Sequence, residues 1–212
     1  MVYAERAFDW RHGTDTAGIV DLHELGIDSA NKGDGGRYEG ANPVVFHLMM
    51  QQIPIHDFCE RTFLDFGCGK GLAMMLASQY GFRKIIGVEF SRNLCDICLR
   101  NLKKYQRSTC TVNNFEIVHA DAAEYQIPPE ATVFFFFNPF GSSVLARVLH
   151  NIETSLAQAP RQIWIAYENA LHHDIFVARG FRVILRQTQN SLRIYPGGSS
   201  IYTNAISNSI QD

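Results

Sequence analysis

The sequence has no long hydrophobic run. None of its apolar stretches approaches the roughly 18 residues that read as a membrane-spanning helix, so no membrane role is expected. Charge is also sparse: 19% of the 212 residues are Asp, Glu, Lys or Arg, and the net charge is −2. That balance excludes a large non-specific nucleic-acid footprint and leaves room only for a local basic patch. The five cysteines, Cys59, Cys68, Cys95, Cys98 and Cys110, are odd in number and follow no secreted disulfide framework. Cys95 and Cys98 have no second pair at ligand spacing and fall in a helix-like stretch, so they read as two buried helical cysteines and no metal is implied. No signal-peptide pattern, internal repeat or low-complexity segment is visible, and a reducing, cytoplasmic setting is the expectation. With 46% hydrophobic residues, the length suits one domain with a sizeable core, or one domain with an appendage.

What is present is organised around Thr62–Gly71, TFLDFGCGKG. An apolar run stops at Gly67. Gly67, Gly69 and Gly71 then alternate with Cys68 and Lys70, and a helix-like stretch starts at Leu72. This is strand, tight turn, helix. Glycine serves where the backbone takes positive φ or must lie against a ligand without a Cβ, and the helix N-terminus behind the turn offers free N–H groups. Asp65 sets a carboxylate beside it. The dinucleotide fingerprint G-x-G-x-x-G fails at Leu72, and no Walker G-x-x-x-x-G-K-[ST] loop occurs.

From residue 62 the chain alternates strand and helix, which predicts a doubly wound α/β domain. Strands are expected at Thr62–Phe66, Lys84–Glu89, Phe115–His119, Thr132–Phe137, Gln162–Tyr167, Phe181–Leu185 and Ser200–Ala205. Helices are expected at Arg92 to about Tyr105 after a Ser91 cap, at Val144–Leu156 and at Ala170–Arg179. Four consecutive phenylalanines, Phe134–Phe137, belong in mid-sheet, where both faces are buried. Asn42-Pro43 starts a helix over Val44–Ile53 whose apolar face is Val45, Leu48 and Met49. Residues 1–42 show no clear period. They read as an arm packed down by Phe8, Trp10, Leu22 and Leu25, or as a lid hinged at Gly33-Asp34-Gly35-Gly36. Ile19–Leu25 is a short helix or a hooked loop. Residues 43–212 form the domain.

The phrase LDFGCGKG resembles motif I of the class I S-adenosylmethionine (SAM) methyltransferases, and three further segments extend the resemblance in order along the chain. Glu89 ends the second strand, about 20 residues past the turn, where nucleotide-binding βαβ units hold ribose hydroxyls. Asp121-Ala122 follows the third strand. Asn138-Pro139-Phe140 follows the fourth and is similar to the D/N-P-P-Y/F motif of amino-methyltransferases, with one proline missing. The resemblance implies a mostly parallel seven-stranded sheet, helices on both faces and an antiparallel last strand. It implies SAM as cofactor and S-adenosylhomocysteine as product. Asp65, Gly67, Cys68, Gly69 and Gly71 would line the methionine and ribose, Glu89 would take the ribose diol, Phe90 the adenine face and Asp121-Ala122 the adenine edge. Asn138, Pro139 and Phe140 would meet the acceptor, with a lean towards nitrogen. Other uses stay open: Asp121 also reads as a helix N-cap, and Asn138–Gly141 as a tight turn.

Arg100, Lys103, Lys104 and Arg107 share one helical face that reads as solvated or RNA-contacting. The sequence names no acceptor. Two rivals remain, a SAM-binding protein without catalysis and a nicotinamide oxidoreductase.

Overall fold

The computed structural model describes residues 2–21, 37–109, 114–188 and 195–204. The expected hinge at 33–36, Leu22, Leu25 and Cys110 lie outside them, as does Ala205 at the end of the predicted last strand. In chain order the elements are α1 (Val2–His12), β1 (Ile19–Val20), β2 (Tyr38–Glu39), α2 (Pro43–Gln52), β3 (Thr62–Phe66), α3 (Leu72–Ser78), β4 (Lys84–Glu89), α4 (Arg92–Thr109), β5 (Phe115–His119), β6 (Ala131–Phe137), α5 (Ser142–Gln158), β7 (Trp164–Glu168), α6 (His173–Ala178), β8 (Arg182–Gln187) and β9 (Ser199–Thr203). A 3-10 turn at Phe58–Glu60 leads into β3.

Seven strands form one sheet in the order β5-β4-β3-β6-β7-β9-β8. The first five are parallel, and β9 runs antiparallel to both β7 and β8. The order reverses beside β3, so its carboxyl end opens on the crevice between β3 and β6 where open α/β sheets bind ligands. The phenylalanine run divides as a two-residue period requires. Phe134 and Phe136 pack with α5 and α6 residues such as Leu145 and Phe176. Phe135 and Phe137 face the layer of α2, α3 and α4. Each fully buried phenylalanine contributes about 1.5–3 kcal/mol of transfer free energy.

Several expectations shift. α2 turns Leu48 outward (51% exposed) and buries Phe46 and Met50 beside Val45 and Met49. The cause is Phe46, whose ring meets Phe63 and Phe135 edge-on. Helix α6 is shorter than predicted because the chain after Glu168 makes turns first, with Asn169 at φ 53. Asp121 caps no helix; its Oδ1 accepts the Ala123 N–H (2.9 Å) in a turn. Ser91 does cap α4, accepting from the Leu94 N–H (3.3 Å). Cys95 and Cys98 are buried in α4, and Arg100, Lys103, Lys104 and Arg107 are exposed along it. No helix among the described residues is long and apolar enough to cross a membrane.

The N-terminal segment holds a helix the sequence did not disclose. α1 ends at Gly13 (φ 68), whose N–H donates to the Asp9 carbonyl (2.7 Å). Phe8 stacks on Tyr105 of α4 (5.7 Å), and Trp10, two residues on, points to solvent at 90% exposure, so it anchors nothing. Ile19–Val20 is a strand paired with Tyr38–Glu39 rather than a helix. Beyond α1, the Asp9 carboxylate accepts from the Thr16 and Ala17 N–H groups. Asn101, buried in α4, then locks the segment to the glycine turn. Its Oδ1 accepts the Asp15 N–H (2.9 Å), and its Nδ2 donates to the Asp15 and Lys70 carbonyls (3.0 Å each). Replacing Asn101 by Ala leaves buried backbone groups unpaired, each costing about 1–3 kcal/mol. Asn101→Ala should lower urea stability by about 2 kcal/mol or more and expose residues 13–21 to limited proteolysis; an unchanged cleavage pattern would show that the clamp does not hold the segment.

Candidate functional site

The site is built where β3, β4, β6 and β7 end. All three turn glycines have positive φ: 72° at Gly67, 52° at Gly69 and 88° at Gly71. Each is also wedged against a neighbour. A Cβ on Gly67 would stand 2.6 Å from Pro139 Cβ, one on Gly69 2.4 Å from the Tyr38 ring, and one on Gly71 2.5 Å from Cys98 Sγ. The turn is therefore fixed by backbone conformation and by close packing together.

Two small cavities flank Gly67, which lines both. The first, about 40 Å³, is bounded by Val88, Phe90, Asp121, Ala122, Pro139 and Phe140. It is mostly apolar with one carboxylate at its edge. The second, about 20 Å³, is bounded by Tyr38, Glu39, Asp65, Cys68 and Phe137 among others. They share Gly67, which has no side chain, as a wall; the first is an apolar end of the site and the second an acidic end.

Glu89 lies beneath the glycine turn, 3% exposed. Its Oε2 accepts the Gly69 N–H (3.0 Å) and its Oε1 the Ser91 N–H (2.9 Å). Burial pushes its carboxyl up to about 7, while the N–H groups of Ser91, Gly69 and Phe90 pull the other way. Asp65 is also raised well above the ordinary carboxylate range, by burial first and then by the charge of Glu89. Three N–H groups on two oxygens leave about one lone pair free, so a second further donor has to displace one of them.

The predicted residues thus fall into groups. Gly67, Phe90, Asp121, Ala122, Pro139 and Phe140 surround the first cavity; Asp65, Gly67 and Cys68 touch the second. Gly71 packs on Cys98 and touches neither. Phe140 sits in the first cavity, edge-on to Phe136 (6.1 Å), rather than beside the acidic end. Asn138 adopts φ 38, and its Oδ1 accepts the Tyr167 hydroxyl (2.9 Å).

The overall fold is shared with solved structures. The magnesium protoporphyrin IX methyltransferase from Synechocystis PCC 6803, solved with SAM bound, superposes with a TM-score of 0.53 at 16% identity, over 76% of each chain. A ribosomal protein L11 methylase from Lactobacillus delbrueckii subsp. bulgaricus gives 0.51 at 10% identity, over 75% of each. This is the class I methyltransferase fold.

Residues 63–159 match the family model described as a methyltransferase domain. A stretch of 90 residues is 31% identical to the ribosomal protein L11 methyltransferase of Cellvibrio japonicus (strain Ueda107). It covers 42% of this chain and only 26% of that protein.

The site also carries residues that the sequence did not single out. Tyr38 lies over Gly69, its hydroxyl donating to the Thr16 carbonyl (2.5 Å). Lys70, 6% exposed, reaches Asp15 Oδ1 and the Ala17 carbonyl (3.2 Å each), with its Nζ 5.3 Å from the Tyr38 ring centre. Glu5, Glu39 and Glu168 bring three more carboxylates to the acidic end. Glu168 had a signal: it ends its apolar strand as Glu89 does. Glu5 and Tyr38 had none, because their partners lie far along the chain.

Glu5 is 3% exposed, and burial first, then Glu39, raises it from 4.5 to about 7. Below about pH 4.5 the group is protonated folded and unfolded alike and adds no penalty. As pH rises towards 7 the unfolded chain ionises first and stability falls; above 7 the buried charge is fully felt. Glu5→Gln should therefore raise Tm at pH 8 and leave it nearly unchanged at pH 4. Equal shifts at both pH values would contradict this origin.

Proposed function

We propose that this protein is a SAM-dependent methyltransferase acting on a nitrogen nucleophile. The observation that carries it is the pair of cavities on either side of Gly67, apolar beside Phe90 and Asp121 and acidic beside Asp65 and Glu39, with the buried Glu89 carboxylate under the turn. An adenosyl group suits the first end, its ring between Phe90 and Phe140 and its exocyclic amine towards Asp121. The ammonium of the methionine end suits the second, beside Asp65. When bound, SAM supplies an activated methyl group on sulfonium; the chain supplies alignment and exclusion of water.

Glu89 would accept the ribose hydroxyls, two donors for one charged acceptor. Asn138 supports nitrogen as target. Its left-handed backbone turns the chain sharply at the end of β6, and Tyr167 holds its carboxamide oxygen. That oxygen keeps a lone pair to accept a hydrogen from an incoming amine and orient the nitrogen. Residues 2–21 and 37–42 serve as the lid: Tyr38 covers Gly69, so cofactor entry requires these residues to lift and exit requires the Lys70 contacts to part. Neither rival from the sequence gains a feature of its own. The fold and the paired cavities suit catalysis as well as binding.

Hydrogen bonds to a charged acceptor contribute about 1.5–3 kcal/mol. Glu89→Ala should weaken SAM binding by roughly ten- to more than a hundredfold, with kcat at saturating SAM falling much less. Unchanged affinity in a folded Glu89→Ala protein would reject the ribose role. Fractionating labelled product from methyl-labelled SAM and a cell extract into protein, RNA and small molecules identifies the acceptor, and stable label on nitrogen is the expected outcome.

A further inference from the structure

The acidic end contains a charge that the cofactor reading does not use. Glu168, the last residue of β7, is fully buried, and neither carboxylate oxygen has a hydrogen-bond partner in good geometry among the described residues. The Asn42 N–H faces it as the one group favouring its charge, while Glu39 and Glu5 oppose it. Buried carboxylates are ordinarily paired, because desolvation costs them several kcal/mol. Here the neighbours are more carboxylates. The nearest cation to Glu39 among the described residues is Arg37, 3.7 Å away and 58% exposed, a surface contact of little strength.

The cluster sits beside the expected reaction point. Glu168 pairs with Phe137 across β6 and β7, one residue before Asn138, and the preceding Tyr167 holds Asn138. Glu39 and Phe137 line the acidic cavity. Tyr195 closes the same corner: its ring lies 4.8 Å from that of Phe137, and its hydroxyl donates to Glu39 Oε1 (3.3 Å). Aromatic rings beside a carboxylate that no cation pairs, here Glu168, are surroundings that bind an alkylammonium. No three His, Cys, Asp or Glu side chains among the described residues converge as metal ligands.

Resting on the methyltransferase reading, we propose that Glu168, with Glu39 and Glu5, binds the cationic amino group of the methyl acceptor, which is therefore an alkylamine rather than an amide, a ring nitrogen or a hydroxyl. An arriving R–NH3+ gives one proton to Glu168 and becomes R–NH2. The nitrogen lone pair then bonds to the methyl carbon as the carbon–sulfur bond breaks, and that electron pair stays on sulfur. The product leaves as R–NH2+–CH3, and Glu168 returns its proton to water on release.

The test is calorimetry on the protein–S-adenosylhomocysteine complex, with n-butylamine hydrochloride, 1-butanol and magnesium chloride as probes, for wild type, Glu168→Gln and Glu39→Gln. The amine should bind wild type at least about tenfold more tightly than the alcohol and lose about tenfold or more in Glu168→Gln, whose affinity for S-adenosylhomocysteine stays within about twofold. Glu39→Gln should show a smaller loss and decides the matter if Glu168→Gln does not fold. Amine and alcohol binding alike, magnesium displacing the amine, or full amine affinity in both variants would overturn the amine site while leaving the cofactor reading intact. Failure of wild type to bind S-adenosylhomocysteine would overturn both.

Discussion

The structure depends on one turn of backbone that no side chain can enter. Gly67, Gly69 and Gly71 hold left-handed conformations, and each lies against a different part of the molecule: Pro139 after β6, Tyr38 in the N-terminal segment, Cys98 in α4. A Cβ at any of them collides as well as strains the chain. The turn thus fixes the distance from β3 to β6, the seat of the N-terminal segment and the approach of α4 at once. The two cavities exist because those three spacings are set.

The same region concentrates cost. Asp65, Glu89, Glu168 and Glu5 are all buried and all raised above the ordinary carboxylate range, chiefly by desolvation. The large apolar layers on both faces of the sheet offset this, with Phe63, Phe134, Phe135 and Phe136 at 1% exposure or less. Polar strain gathered at one end of an otherwise apolar sheet is the pattern expected where a ligand, rather than the fold, makes use of the charges.

Much of this was legible in the residues. The ranges of β3, β4 and β5 follow directly from apolar runs bounded by glycine, serine and acidic residues, and the antiparallel last strand was expected from the resemblance. α1 was not legible. It has no apolar stripe, and it is held by Phe8 on Tyr105 and by Asp9 closing the loop behind it, contacts no local pattern encodes. On α2, Val45 and Met49 are buried as expected and Leu48 alone departs, for a related reason: Phe46 set the orientation by fitting against Phe63 and Phe135, and Leu48 turned outward. At the site, glycines and strand-end acids were visible because they lie at fixed places in the βα pattern. Tyr38, Lys70 and Glu5 were not, because their roles arise only when the N-terminal segment folds back across the turn.

The central claim is that the crevice at Gly67 takes an adenosyl-amino-acid ligand and not a dinucleotide. Titrating the wild-type protein with S-adenosylhomocysteine and with NAD in a calorimeter tests it most directly. One-to-one binding of S-adenosylhomocysteine with no heat from NAD is the predicted result. Binding of NAD alone would contradict the account.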